Sequence, residues 1–381
     1  MTVRKVVAIA VWSVSWALAL AALLVSWIAG LPSAPLPGVF LSPAPEAMRA
    51  GFDEIGVTVA LVYGPVSALI LARRPHPVGV ILAVHAVGSG LAAFGFQWGL
   101  LSVNHPGLPF AAFLSFAAGW AFVPGTFMTA ALPLLVTRGR VPRWQQGVVG
   151  ATAVIAVAAW FLSFTQQSAA APVNPFAIAV PAYQAAAPAA YTLLSFCAVA
   201  VSVLSWVVLL ARWWRARGSD RTGLTWLVLG HGFLTISYGL LVLPADVASP
   251  PWLIDVGLVA PVLGQLLYPA AILVVILGQR LWGVDLVVSR LVLWALLSIS
   301  GVAVYLLTVL IAPRLLPGGD GLWLVVPFVL ALSVLPLRSW LQGRIDLLIY
   351  GEGADPAVLI ARIADRIGDL EPGAAGLRVL A

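Results

Sequence analysis

His85 and His231 are the two residues of this chain whose chemistry most invites a site. Each lies within an apolar run, nine residues in from the run's start at 77 and at 223. In helices rising about 1.5 Å per residue the two rings share a depth of about 13 Å. Paired imidazoles can hold haem or a metal ion, yet neither run contains a carboxylate to orient a ring. The pattern therefore favours an interhelical hydrogen bond beside Gly230 and Gly232, with no metal and no cofactor. Gln97, Gln265 and Gln279 carry donors and acceptors into other apolar runs and read as hydrogen-bonding links between helices. The single cysteine, Cys197, excludes an intramolecular disulfide and a thiolate metal site of ordinary ligand number. No residue reads as catalytic.

The elements that must position these groups are membrane spans. Hydrophobic residues make up 62% of the chain and charged ones 9%, with a mean hydropathy of +1.04; a soluble domain is about 45–50% apolar. A hydrocarbon core of about 30 Å needs about 20 apolar residues per helix. Ten runs qualify, at 6–29, 55–72, 77–101, 110–136, 146–166, 188–211, 223–243, 256–279, 291–312 and 321–337. The expected fold is thus all-α, a polytopic bundle over 1–338 followed by a short amphipathic helical tail over 339–381. As drawn, no span contains Asp, Glu, Lys or Arg, which argues against an ion pathway or a proton relay.

Lys and Arg are retained on the cytoplasmic side of spans. With the N-terminus inside, 18 of the 20 basic residues fall on that side, among them Arg73, Arg138, Arg212, Arg221, Arg280 and Arg338, leaving Arg49 and Arg314 outside. Both termini are then cytoplasmic. The net charge of +6 is explained by this placement, with no nucleic-acid partner. Trp27, Trp98, Trp252 and Trp323 mark outer ends and Trp144, Trp213, Trp214, Trp226, Trp282 and Trp340 inner ones. The outer joints 30–54 and 167–187 are rich in Pro and Ala and too short for a sensory domain. Pro124-Gly125, Pro261 and Pro269 are candidate helix breaks, each reading more readily as a kink. Gly95 and Gly99 form a GxxxG step that lets two backbones approach closely.

Past Arg338 polarity rises. Arg344 to Tyr350 reads as a helix leaving the membrane and stopped by Gly351. Asp355 can cap a second helix with Pro356 at its first position, and Leu359, Ile363, Ile367 and Leu370 then lie on one face. Such a stripe needs a partner, or else lies on the membrane surface with Arg362 and Arg366 toward the headgroups.

This tail resembles the membrane exit of multi-pass sensor histidine kinases of high-GC Gram-positive bacteria, which work with LuxR-type response regulators. The pattern R-x-D-x-L-L-Y-G followed by D-P is matched by Arg344, Asp346, Leu348, Tyr350, Gly351, Asp355 and Pro356. Similar joints lie upstream at Arg74-Pro75-His76-Pro77-Val78-Gly79, Val123-Pro124-Gly125, Gly139-Arg140-Val141-Pro142, Arg217-Gly218-Ser219-Asp220-Arg221 and Asp285-Leu286-Val287-Val288-Ser289-Arg290. The resemblance implies a homodimer in the lipid bilayer, with the tail helix as the signal-coupling element. It also implies that a linker domain, a dimerisation helix bearing the phosphoacceptor histidine and an ATP-binding domain follow. None of the four histidines, His76, His85, His105 and His231, lies in the tail. The 43 residues from Ser339 to Ala381 are too few for a nucleotide-binding domain, which needs more than about 50.

The expected function is a membrane-embedded module that senses a stimulus and relays it to a kinase domain or response regulator. The alternatives are a small-molecule or lipid transporter using the helix breaks as a midplane site, and an orphan structural membrane protein. The kinase reading predicts that the DNA beyond the codon for Ala381 continues in frame, or adjoins a gene, encoding the histidine-bearing helix and ATP-binding domain. Sequencing that region checks it: unrelated neighbours and a stop codon favour the alternatives.

Overall fold

In hydrocarbon no water completes a backbone hydrogen bond, so an apolar chain of this kind settles into helices that satisfy their own N–H and C=O groups. The computed structural model describes residues 3–31, 52, 55–73, 76–136, 140–167, 174, 176–216, 219–241 and 250–278. The expected spans at 291–312 and 321–337, Gln279, most of the joint 30–54 and the whole tail lie outside them. Within them the helices are α1 (Val3–Ala29), α2 (Ile55–Arg73), α3 (Pro77–Asn104), α4 (Ala111–Trp120), α5 (Val123–Thr129), α6 (Leu132–Leu135), α7 (Arg143–Thr165), α8 (Pro181–Arg215), α9 (Ser219–Leu241) and α10 (Pro251–Gly278). Eight are long and apolar enough to cross a membrane, counting α4 and α5 together as one.

Local signals account for the helix starts. Pro77 and Pro181 occupy first positions, where the missing N–H costs nothing. His76 caps α3, its Nδ1 accepting from the Val78 amide at 3.3 Å. That is the role of the His-Pro step in the first of the joints whose pattern stood out in the sequence.

Three corrections to the sequence reading follow. The fourth span, expected over 110–136, is three helices, interrupted at 121–122 and at 130–131. Pro124 and Pro133 each withhold an amide there. By contrast α10 runs unbroken through Pro261 and Pro269. The last third of the joint 167–187 is already helix, since α8 begins at Pro181. A polar clasp precedes it: Asn174 donates to the carbonyls of Phe164 and Gln166 at 2.9 and 3.0 Å, and Gln184 to those of Thr165 and Ile178 at 3.2 and 2.8 Å. Finally, helices that overrun the drawn spans bring charges into their ends, Arg212 and Arg215 in the last turn of α8 and Asp255 near the start of α10. Arg212, expected in a joint, is half-buried. It donates to the carbonyls of Pro133 and Val136 at 3.4 and 3.2 Å and to Gln145 Oε1 at 2.9 Å, closing the open end of α6.

α2 is the axis of the bundle. Its most apolar stretch is 78% buried, against 17% for α7 and 22% for α1, which turn most of their surface outward. α2 packs on α1, α3 and α10; α3 carries α4 and α5; α7 lies on α5 and α8; and α9 bridges α8 to α10. Pro65 inside α2 leaves the Leu61 carbonyl without its helical donor, and the Trp16 indole of α1 supplies one at 3.0 Å.

The GxxxG step does what its spacing promises. A β-carbon at Gly95 would strike the Leu114 carbonyl, one at Gly99 the Ser115 hydroxyl, and one at Gly88 the Ala121 carbonyl. α3 thus meets α4 backbone to backbone along its length. Gly95→Val is expected to destabilise the bundle by about 1–3 kcal/mol, the usual scale of overpacking, against no measurable change for Gly147→Ala, whose site is open. Thermal unfolding of the two variants in the same detergent checks it.

Candidate functional site

Among the described residues, those buried at the centre of the bundle include polar side chains but no Asp, Glu, Lys or Arg. Tyr63 on α2 donates to Gln265 Oε1 at 2.7 Å, and Gln265 Nε2 donates to the Tyr238 hydroxyl of α9 at 3.1 Å. One amide on α10 therefore ties three helices, which is the linking role expected of Gln265. Gln97 is buried on α3.

A second network joins α8 to α9. His231 Nε2 lies 3.1 Å from the Ser202 carbonyl, which can only accept, so this nitrogen carries the ring proton. The Ser202 hydroxyl is 2.8 Å from Thr235 Oγ1, and Thr235 in turn donates to the His231 carbonyl at 2.8 Å. Since the Thr235 proton is spent there, Ser202 is the donor between the two hydroxyls. The result is a closed circuit in which each helix both gives and receives. Trp206 adds a further pin, its indole donating to the Val228 carbonyl at 3.0 Å.

His85 stands apart. Its ring is buried edge-on to Tyr63 at 4.9 Å, with both nitrogens lacking a hydrogen-bond partner. Gly125 sits directly over it: a β-carbon there would come within 2.7 Å of His85 Cβ. The two histidines do not bond to each other, and each faces its own tyrosine, His231 lying 5.1 Å from the Tyr268 ring. Among the described residues no group of three or more His, Cys, Asp or Glu is placed to hold a metal ion.

Between the broken fourth span, α8 and α9 lies a crevice of about 30 Å³, lined by Thr126, Phe127, Thr129, Ala130, Ser195, Ala198, Val199, Ser202, Leu234 and Tyr238. One water needs about 10–15 Å³. Thr126, Thr129 and Ser195 all donate back into their own helices, to Phe122, Thr126 and Tyr191, so their protons are withdrawn from the space they border. The walls are left mainly apolar.

The structure thus unites Gln265 and His231 with partners that sequence reading passed over: Tyr63, Tyr238, Tyr268, Ser202 and Thr235. The available signal was the phenols themselves, since Tyr63, Tyr238 and Tyr268 fall mid-run in apolar segments where an O–H must find an acceptor. The expected coupling residues Arg344, Asp346, Leu348, Tyr350, Gly351, Asp355 and Pro356, and the stripe Leu359, Ile363, Ile367 and Leu370, lie outside the described residues.

No protein-family model matches the chain, and no curated protein or solved structure matches it. The class that fold and site define is a multi-pass helical membrane protein with an uncharged polar core.

The two histidines are expected to respond oppositely to replacement by leucine. His85→Leu removes two buried polar atoms that have no partner and raises stability by about 1–3 kcal/mol, whereas His231→Leu opens the α8–α9 circuit and lowers it by about 0.6–1.7 kcal/mol. Unfolding midpoints of both variants beside the parent check the pair of signs.

Proposed function

We propose that this chain is the membrane-embedded sensing and transmitting part of a two-component sensor histidine kinase, working as a homodimer in the cell membrane. Its N- and C-termini face the cytoplasm, where the tail passes a change in helix packing to a kinase domain or, through it, to a response regulator. The observation that carries the reading is the polar core without charge. Ion pathways and proton relays place charged groups at mid-depth, whereas the crevice is bordered by hydroxyl and apolar groups alone. A bundle of this kind is suited to changing its packing. Two packing states that a stimulus stabilises differently are what signalling requires.

Two further features support it. Arg212 at the end of α8 bonds to Gln145 at the start of α7, bringing two Arg-bearing helix ends together, which supports the orientation read from charge. The joints resembling those of sensor kinases fall, where described, at helix starts: His76-Pro77 opens α3, Val123-Pro124-Gly125 opens α5 and Ser219-Asp220-Arg221 opens α9.

A transporter is the second reading, favoured by one observation: the span broken at mid-course beside a crevice is the arrangement in which transporters bind substrates.

The test places one cysteine at Ile363 of the tail stripe in a Cys197→Ser background. Oxidation in membranes is expected to give a disulfide-linked dimer, while the same cysteine at Arg366 gives much less. Equal cross-linking at both positions, or none at Ile363, removes the dimeric signalling helix and with it the sensor reading. Uptake of solutes by proteoliposomes of the same protein then becomes the informative assay.

A further inference from the structure

Thr129 and Tyr238 border the crevice, and α10 holds both. Gln265 grips the Tyr238 hydroxyl, while Tyr268 donates to the Thr129 carbonyl at 3.1 Å. The second contact has a particular origin. In an unbroken helix the Thr129 carbonyl takes the amide of residue 133. Residue 133 is proline and has none to give. Tyr268, 139 positions along the chain, supplies the donor instead.

The same replacement is made independently at Pro65, where Trp16 of α1 serves the Leu61 carbonyl. In α2, however, the helix stays whole and enclosed, so the indole merely completes it. In the fourth span the chain is interrupted at 130–131, the short helix α6 hangs from Arg212, and one side of α5 faces the crevice. The Tyr268 bond there holds the C-terminal end of a short helix that the chain itself does not continue.

We infer that Tyr268 is a latch on the broken fourth span: it gives the Thr129 carbonyl the donor that Pro133 withholds, so that the hold of α10 on the end of α5 depends on proline at 133. Without Tyr268 that carbonyl is stranded in a medium without water. The latch makes α10 responsive to the position of the crevice wall, and it holds whether or not the chain serves a kinase.

The test is a four-member cycle in the full chain: parent, Tyr268→Phe, Pro133→Ala and the double variant, read by thermal unfolding in one detergent and lipid mixture. Tyr268→Phe lowers the midpoint by several degrees where residue 133 is proline. It loses most of that effect where residue 133 is alanine, because the restored amide takes the carbonyl. Equal falls in both backgrounds overturn the inference. Should Tyr268→Phe fail to fold, recovery in the double variant supports the latch and continued failure overturns it.

Discussion

In the hydrocarbon of a bilayer no backbone group can borrow a partner from solvent, and the rest of this structure depends on that one constraint. Each proline placed inside a span creates a creditor carbonyl one turn back, and the fold is in large part a set of answers to those carbonyls. Trp16 answers for Pro65 and Tyr268 for Pro133, each from a different helix, while Arg212 serves the last carbonyls of the fourth span, Pro133 and Val136. These side chains fix which helices are neighbours as firmly as apolar packing does, because apolar packing in lipid discriminates weakly between one greasy face and another.

The polar groups left over after the backbone is satisfied are distributed unevenly. α8 and α9 are locked by the closed circuit of Ser202, Thr235 and His231 and by the Trp206 pin. α2, α9 and α10 are locked by the Tyr63–Gln265–Tyr238 ladder. The fourth span lies between these two rigid pairings with short helices, an adjoining crevice and a buried imidazole, His85, beneath Gly125.

The sequence made the first eight spans legible, because about 20 apolar residues in a row have few other destinies, although α8 starts seven residues before the expected 188 and the fourth span is broken. It also made legible the glycine seam of α3 and the linking role of Gln265. It did not reveal where the chain breaks. Pro65, Pro188, Pro261 and Pro269 sit in continuous helices, whereas Pro124 and Pro133 sit at interruptions. Local spacing does not separate the two sets, since Pro65 and Pro133 each have a carbonyl served from another helix and only the second sits at a break. Arg212 was read as a joint residue for a related reason: its acceptors at Pro133, Val136 and Gln145 are remote in the chain. The tyrosines were overlooked because a phenol within an apolar run looks like core until its hydroxyl is seen to reach Gln265 or Thr129.

The donors that answer for Pro65 and Pro133 also set a timetable for biosynthesis. Trp16 leaves the ribosome before Leu61, so when α2 enters the bilayer its missing donor is already waiting in α1. The Thr129 carbonyl has no such luck, since its donor follows 139 residues later. At about 5–20 residues per second that interval is roughly 7–28 s. During it the fourth span must shelter among translocon and lipid headgroups, or borrow a provisional donor, until α10 arrives.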